Sequence, residues 1–170
     1  MNRAAPPLTV VQPGEGRNGN LGSIGVDFKI FGESTLGQVS IVEHPFPVGA
    51  LVPPHLHTRE DEYSIVTEGE IGFRSGDTEV VLGAGGYIVK PRHELHSMWN
   101  AGPAPARMIE VISPAGFEHF FWTVAEVFSE EQPDLERFAA LAADYGLEFH
   151  DAPWLPDLIA RYDLTPPPAR

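Results

Sequence analysis

From Leu8 to Ile112 the chain is written in short runs in which apolar and polar residues alternate with a period near two. Strand candidates are Leu8–Gln12, Ile24–Phe31, Gln38–Glu43, Glu62–Glu68, Ile71–Ser75, Glu79–Leu82, Tyr87–Lys90, His96–Trp99 and Arg107–Ile112. Most are rich in β-branched or aromatic residues and are bounded by Gly, Pro or Asp. Arg74-Ser75-Gly76-Asp77 and Leu82-Gly83-Ala84-Gly85-Gly86 read as hairpin turns. Many short strands at this spacing predict a sandwich or barrel. After Pro114 the period lengthens. Phe117, Phe120, Phe121, Val124, Ala125 and Phe128 recur at helical spacing. A second helix is expected over 134–145 with Gly146 as its C-terminal cap, and a third over 155–162. These helices are expected as covers on the outside of the β domain. The division expected is an N-terminal arm over 1–7, a barrel over 8–113, a helical extension over 114–163 and a Pro-rich tail over 164–170.

Length and composition narrow the class. A chain of 170 residues suits one domain with a substantial core. The net charge of −13 leaves no basic stripe for nucleic acid and no attraction to anionic membranes. With no cysteine there is no disulfide, no thiolate metal site and no cysteine nucleophile. The first residues lack the apolar stretch of a signal peptide, and no apolar run reaches membrane-spanning length, so a cytoplasmic location is expected.

The chemistry gathers in two segments. Gly49 to Gly69 carries His55, His57 and Glu62; Gly85 to Asn100 carries His96. On an extended backbone His55 and His57 point to one face. Glu62, Ser64 and Val66 also share a face, as do His96, Met98 and Asn100. Three imidazoles and a carboxylate can hold a divalent metal and leave positions open for water, dioxygen or a substrate oxygen. Other candidates read more plainly. His44 before Pro45 and His150 before Asp151 are expected in surface loops. Thr58 to Asp61 is expected to be a solvated link, and Glu118 suits the positive end of a helix. Phe117, Phe120, Phe121, Trp122 and Phe128 are expected to be packing residues.

The spacings resemble those of the cupins. Gly49, His55, His57, Glu62 and Gly69 fit the first cupin motif, G-x(5)-H-x-H-x(3,4)-E-x(6)-G; Gly85, Pro91, His96 and Asn100 fit the second, G-x(5)-P-x-G-x(2)-H-x(3)-N. His93 stands where the second motif has a glycine, a place where a left-handed backbone is usual. The resemblance implies an all-β core, a double-stranded β-helix or jelly-roll barrel, with C-terminal α-helices outside it. It implies that His55, His57, Glu62 and His96 bind one divalent transition metal (iron, manganese, nickel, copper or zinc) inside the barrel. His93 is a candidate at the mouth of the site, as a proton carrier or simply an exposed turn residue. Ser64, Val66, Phe73 and Met98, with 24–31, are candidates for an apolar substrate pocket.

Three functions are compatible with that resemblance. The ligand set resembles the quercetin dioxygenase branch, which makes Glu62 a candidate base for a substrate hydroxyl; the segment from Ser113 to Phe121 also resembles the post-barrel helix start of quercetinase-like proteins. Alternatively the ion acts as a Lewis acid in an isomerase, lyase or decarboxylase, with Glu62 or His93 moving protons. The third reading is a small-ligand-binding module without catalysis. The expected partner is a small-molecule substrate, with neither nucleic acid nor membrane, and a homodimer is expected because exposed strand edges need covering.

Overall fold

The computed structural model describes residues 6–167. The arm expected over 1–7 and the tail expected over 164–170 therefore lie partly outside the described residues. In chain order the strands are β1 (Asn18–Asn20), β2 (Gly25–Ile30), β3 (Ser40–Phe46), β4 (Leu51–His57), β5 (Asp61–Glu68), β6 (Glu70–Ser75), β7 (Thr78–Gly83), β8 (Tyr87–Lys90), β9 (His96–Asn100), β10 (Ala106–Ser113) and β11 (Leu147–Phe149). The helices are α1 (Glu118–Val127), α2 (Leu135–Tyr145) and α3 (Leu155–Tyr162). Two antiparallel sheets form the jelly roll of the cupin fold. One has the order β1-β2-β3-β10-β5-β8 and the other β11-β4-β9-β6-β7. No helix among the described residues is long and apolar enough to cross a membrane.

Alternation decides which side chains enter. In β3 and β10 every second residue is buried, so His44 and Phe46 share a face in one and Met108, Glu110 and Ile112 in the other. In β5 Glu62, Ser64 and Val66 are buried while Tyr63 is exposed. One end of the interior is apolar, built from Ile24, Phe46, Val66, Ile71, Phe73, Met98 and Met108. Other interior positions are polar. His44, Glu62, Ser64, Lys90 and Glu110 are all buried.

Four strands depart from expectation. Residues 8–12 form no strand, and β1 and β11 were not expected. β4 was not expected either, although it carries two of the candidate ligands. Its Pro53 and Pro54 cannot donate to a ladder, and prolines within sheets sit at edges or bulges. Here the β4–β9 register shifts between Val52 and His55, so the prolines occupy a bulge.

The helices cover the barrel in two places. α1 and α2 pack Phe117, Phe120, Val124 and Ala142 against Val26, Phe28, Val42 and Ile112. Asp134 caps α2 by accepting from the Arg137 amide at 2.9 Å, and Gly146 ends it at φ 71°. α3 lies elsewhere, its Leu158 buried with Leu51, Trp99 and Leu164. Because α3 covers the outer face of β9, that strand is buried on both faces.

Trp99 is fully buried and pairs across the sheet with Gly72, where a Cβ would collide with the indole ring. Glycine is required there by close approach. Gly72→Ala is expected to destabilise the fold by about 1–3 kcal/mol through overpacking, read as a lower denaturant midpoint. An unchanged midpoint would show that the indole has room to move.

Candidate metal centre

The bulge in β4 has a chemical result. It leaves the Pro53 carbonyl free to accept from Nδ1 of His55 at 2.8 Å. In the same way the Glu94 carbonyl lies 2.9 Å from Nδ1 of His96. A carbonyl only accepts, so both Nδ1 atoms carry a proton, and in the neutral ring Nε2 is the atom with the lone pair. Residues β4 and β9 pair at His55 and His96, which places the two rings 4.4 Å apart. His57 follows two positions along β4, and Glu62 enters from β5 in the facing sheet. Its Oε1 is 3.3 Å from His57 Nε2, and its Oε2 is 3.5 Å from His96 Nε2. One donor atom from each of His55, His57, Glu62 and His96 lies within 4.8 Å of all the others, and all four residues are buried.

These residues fit a divalent cation. His96 Nε2 and Glu62 Oε2 are buried without a well-aligned hydrogen-bond partner among the described residues. The charge balance points the same way. Among the described residues the ammonium beside Glu62 and Glu110 is that of Lys90, whose Nζ lies 2.8 Å from Glu62 Oε2 and 2.6 Å from Glu110 Oε1. The contact with Glu62 is an ion pair by distance, although its alignment is poor for a hydrogen bond. Two carboxylates against one ammonium leave net negative charge in a low-dielectric interior, which a bound cation would offset. The group could therefore bind a metal, and the donor set leaves its identity open.

Electrostatics prepare the donors. Burial drives the His55 imidazole well below its usual proton affinity, and repulsion from His96 and His57 adds to this. For Glu62, burial alone would raise the affinity. Attraction to His57, Lys90 and His96 outweighs it, and the carboxyl sits well below the ordinary range. Both residues are thus in their ligating forms at neutral pH. Lys90 is driven down by burial but raised overall by Glu110 and Glu62, so it remains an ammonium.

A cavity of about 1040 Å³ opens on this cluster. Its walls include His55, His57, Glu62, Met98, Ile24 and Phe117. Phe117 comes from the first residues after the barrel and meets His57 edge-on, with ring centroids 4.4 Å apart. Glu118 fixes this turn by accepting from the backbone amides of Gly32 at 2.8 Å and Gly116 at 2.6 Å. α1 was expected only as an outside cover; it also supplies a wall of the cavity.

Of the pocket candidates, Met98 and Ile24 line this cavity. Ser64 is buried and donates to Glu110 at 2.7 Å, while Val66 and Phe73 pack into the apolar end of the barrel. His93 is exposed, adopts φ 65° and donates its amide to the His57 carbonyl at 2.7 Å. The left-handed turn of the motif is thus kept without its glycine. Asp61 braces the same turn by accepting from the Arg92 amide and guanidinium, which lowers its pKa to about 2.

Two expectations are corrected. His44 is no surface loop residue: it lies in β3 and is fully buried. The link Thr58 to Asp61 is not wholly solvated, because Glu60 is buried with a carboxylate oxygen 3.8 Å from His57 Nδ1. Lys90 and Glu110 were not singled out in the sequence at all. Each looks like an ordinary charged residue in a strand, and only the cross-strand register shows that Lys90 faces Glu62 and Glu110 faces Ser64.

Residues 43–112 match the cupin domain model. A germin-like protein, subfamily T member 2, of Arabidopsis thaliana is 39% identical over 83 residues, covering 46% of this chain and 37% of that protein. The chain thus spans under half the length of such curated relatives. Among solved structures, an RmlC-like cupin from Shewanella frigidimarina superposes with a TM-score of 0.58 at 22% identity, covering 68% of this chain and 99% of that one. A sugar phosphate isomerase from a cupin superfamily, from Silicibacter pomeroyi, gives 0.53 at 19% identity, covering 62% and 75%. At these identities the structural likeness establishes the fold alone.

Two measurements follow. His55→Ala and His96→Ala are each expected to lose most bound metal in elemental analysis while keeping the β-sheet circular dichroism of the parent. Full occupancy in both would remove these ligands. In metal-free protein, the depressed affinity of His55 means that the unfolded chain takes up more protons than the folded one near and below the ordinary imidazole value of 6.5. Stability therefore rises with pH through that region, and Tm is expected to fall between about pH 7.5 and about pH 5.5. A Tm that holds or rises would contradict the buried neutral imidazole.

Proposed function

We propose that this cupin-fold chain is a metal-dependent oxidoreductase of the dioxygenase type, acting on a small, largely apolar substrate that carries an acidic hydroxyl. One observation carries the reading: of a buried set of three imidazoles and one carboxylate, His55, His57 and Glu62 form part of the wall of an apolar cavity large enough for a small organic molecule. His55, His57, Glu62 and His96 would hold the ion. A redox-active divalent ion in that position would supply the one-electron chemistry that lets a closed-shell organic substrate react with dioxygen.

The chain's own residues have three tasks. Phe117, Met98 and Ile24 bind the apolar body of the substrate and exclude water. The Pro53 and Glu94 carbonyls hold the imidazoles in the ligating tautomer. Glu62 holds the substrate proton at a carboxylate oxygen. Its low proton affinity makes it an effective acceptor only for unusually acidic hydroxyls, which favours phenols and enols over aliphatic alcohols. Lys90, in contact with Glu62, keeps it ionised between turnovers.

Metal analysis of the purified protein, followed by oxygen-uptake assays with flavonols, catechols and diketones, tests this reading. Metal-dependent oxygen consumption with one of these classes is expected. Turnover without oxygen on a zinc-loaded protein would instead support Lewis-acid chemistry, and tight binding without turnover would support a ligand-binding module. Glu62→Gln keeps the shape of the side chain and is expected to lower kcat by about 10²–10⁴-fold with a smaller effect on metal content. Unchanged kcat would remove Glu62 as the base.

A further inference from the structure

His44 and Glu110 form a second polar feature of the same cavity, outside the four-donor cluster. Both are fully buried and both line the cavity. Glu110 is held at one oxygen only: Oε1 accepts from Lys90 at 2.6 Å and from Ser64 at 2.7 Å. Its Oε2 has no hydrogen-bond partner among the described residues, and neither has His44 Nε2. The two atoms are 3.5 Å apart. His44 Nδ1 lies 2.8 Å from the Gly25 carbonyl, so it carries the proton and Nε2 presents a lone pair. Burial lowers the proton affinity of His44 below its usual value despite the neighbouring Glu110 carboxylate, so the ring is neutral near pH 7. Two buried acceptors thus face each other across 3.5 Å. With a neutral ring that arrangement is repulsive, and donors placed beside both atoms relieve it.

We propose that His44 Nε2 and Glu110 Oε2 form a recognition subsite for a pair of adjacent hydroxyl donors on an apolar or aromatic ligand. Two acceptors at this separation suit two roughly parallel O–H groups on neighbouring carbons better than the diverging N–H bonds of one amino group. The surroundings select the rest of the ligand. Phe121 meets His44 edge-on at 5.1 Å, and Phe117 packs against Phe121 at 5.0 Å, giving flat apolar walls beside the polar pair. The subsite deepens the proposed function by naming a vicinal diol, of which a catechol ring is the simplest aromatic form. It rests on that reading only in placing the substrate in the cavity shared with His55, His57 and Glu62.

Catechol and 1,2-dimethoxybenzene separate the possibilities, because the second keeps the ring and both oxygens but has no O–H. Calorimetric titration of the purified protein, repeated after chelator treatment, is expected to show catechol binding at least about ten-fold tighter in both states. His44→Phe keeps an aromatic ring against Phe121 and is expected to remove that advantage without changing metal content. An advantage that vanishes with the chelator would assign catechol binding to the ion and overturn the subsite while leaving the metal reading intact. An advantage that persists in metal-free protein and is lost in His44→Phe upholds the subsite even if no metal is ever found. Equal affinity for the two probes in the metal-free parent protein overturns the subsite whether or not the variant folds.

Discussion

The barrel interior is organised by the cost of burying charge. Glu62, Lys90 and Glu110 are closed off from water, where an unpaired ion costs several kcal/mol. Lys90 can satisfy one carboxylate fully and a second in part. The remaining negative charge falls on the side of Glu62 that faces three imidazoles. The geometry of the site follows from that imbalance. Carbonyls freed by a bulge and a turn orient His55 and His96. A divalent ion at that point removes an electrostatic debt that the protein atoms alone leave standing.

The fold and the grouping of the four donor residues were largely legible in the sequence, for reasons that are local. Period-two alternation, two glycine turns and the spacing of His55, His57, Glu62 and His96 are short-range properties, and they survive into the structure. What was hidden depends on pairing between distant strands. Pro53 and Pro54 disguised β4, because prolines argue against a strand unless a bulge receives them. His44 before Pro45 looked like a loop residue, yet β3 pairs through it with Met108 of β10. Lys90 and Glu110 carry no spacing signal. Their partnership arises only when β8, β5 and β10 come into register.

The segment after the barrel shows the same division. Its helical period and its caps at Asp134 and Gly146 were visible in the chain, but its role was not. The sequence showed aromatic residues fit for packing. The structure shows that Phe117 and Phe121 pack directly on His57 and His44. Packing and site construction are here one act, because the same rings that close the core also shape the space beside the polar groups.

β11 carries a consequence for what counts as the working unit. It pairs with the His55–His57 stretch of β4, and Thr58 anchors to the carbonyl of Gly146 at the end of α2. A fragment trimmed to the matched region 43–112 would keep every donor atom but leave the histidine-bearing strand with a bare edge, open to pairing with other chains. A unit that keeps the edge of β4 paired therefore extends through β11, nearly fifty residues beyond the final motif position, Asn100.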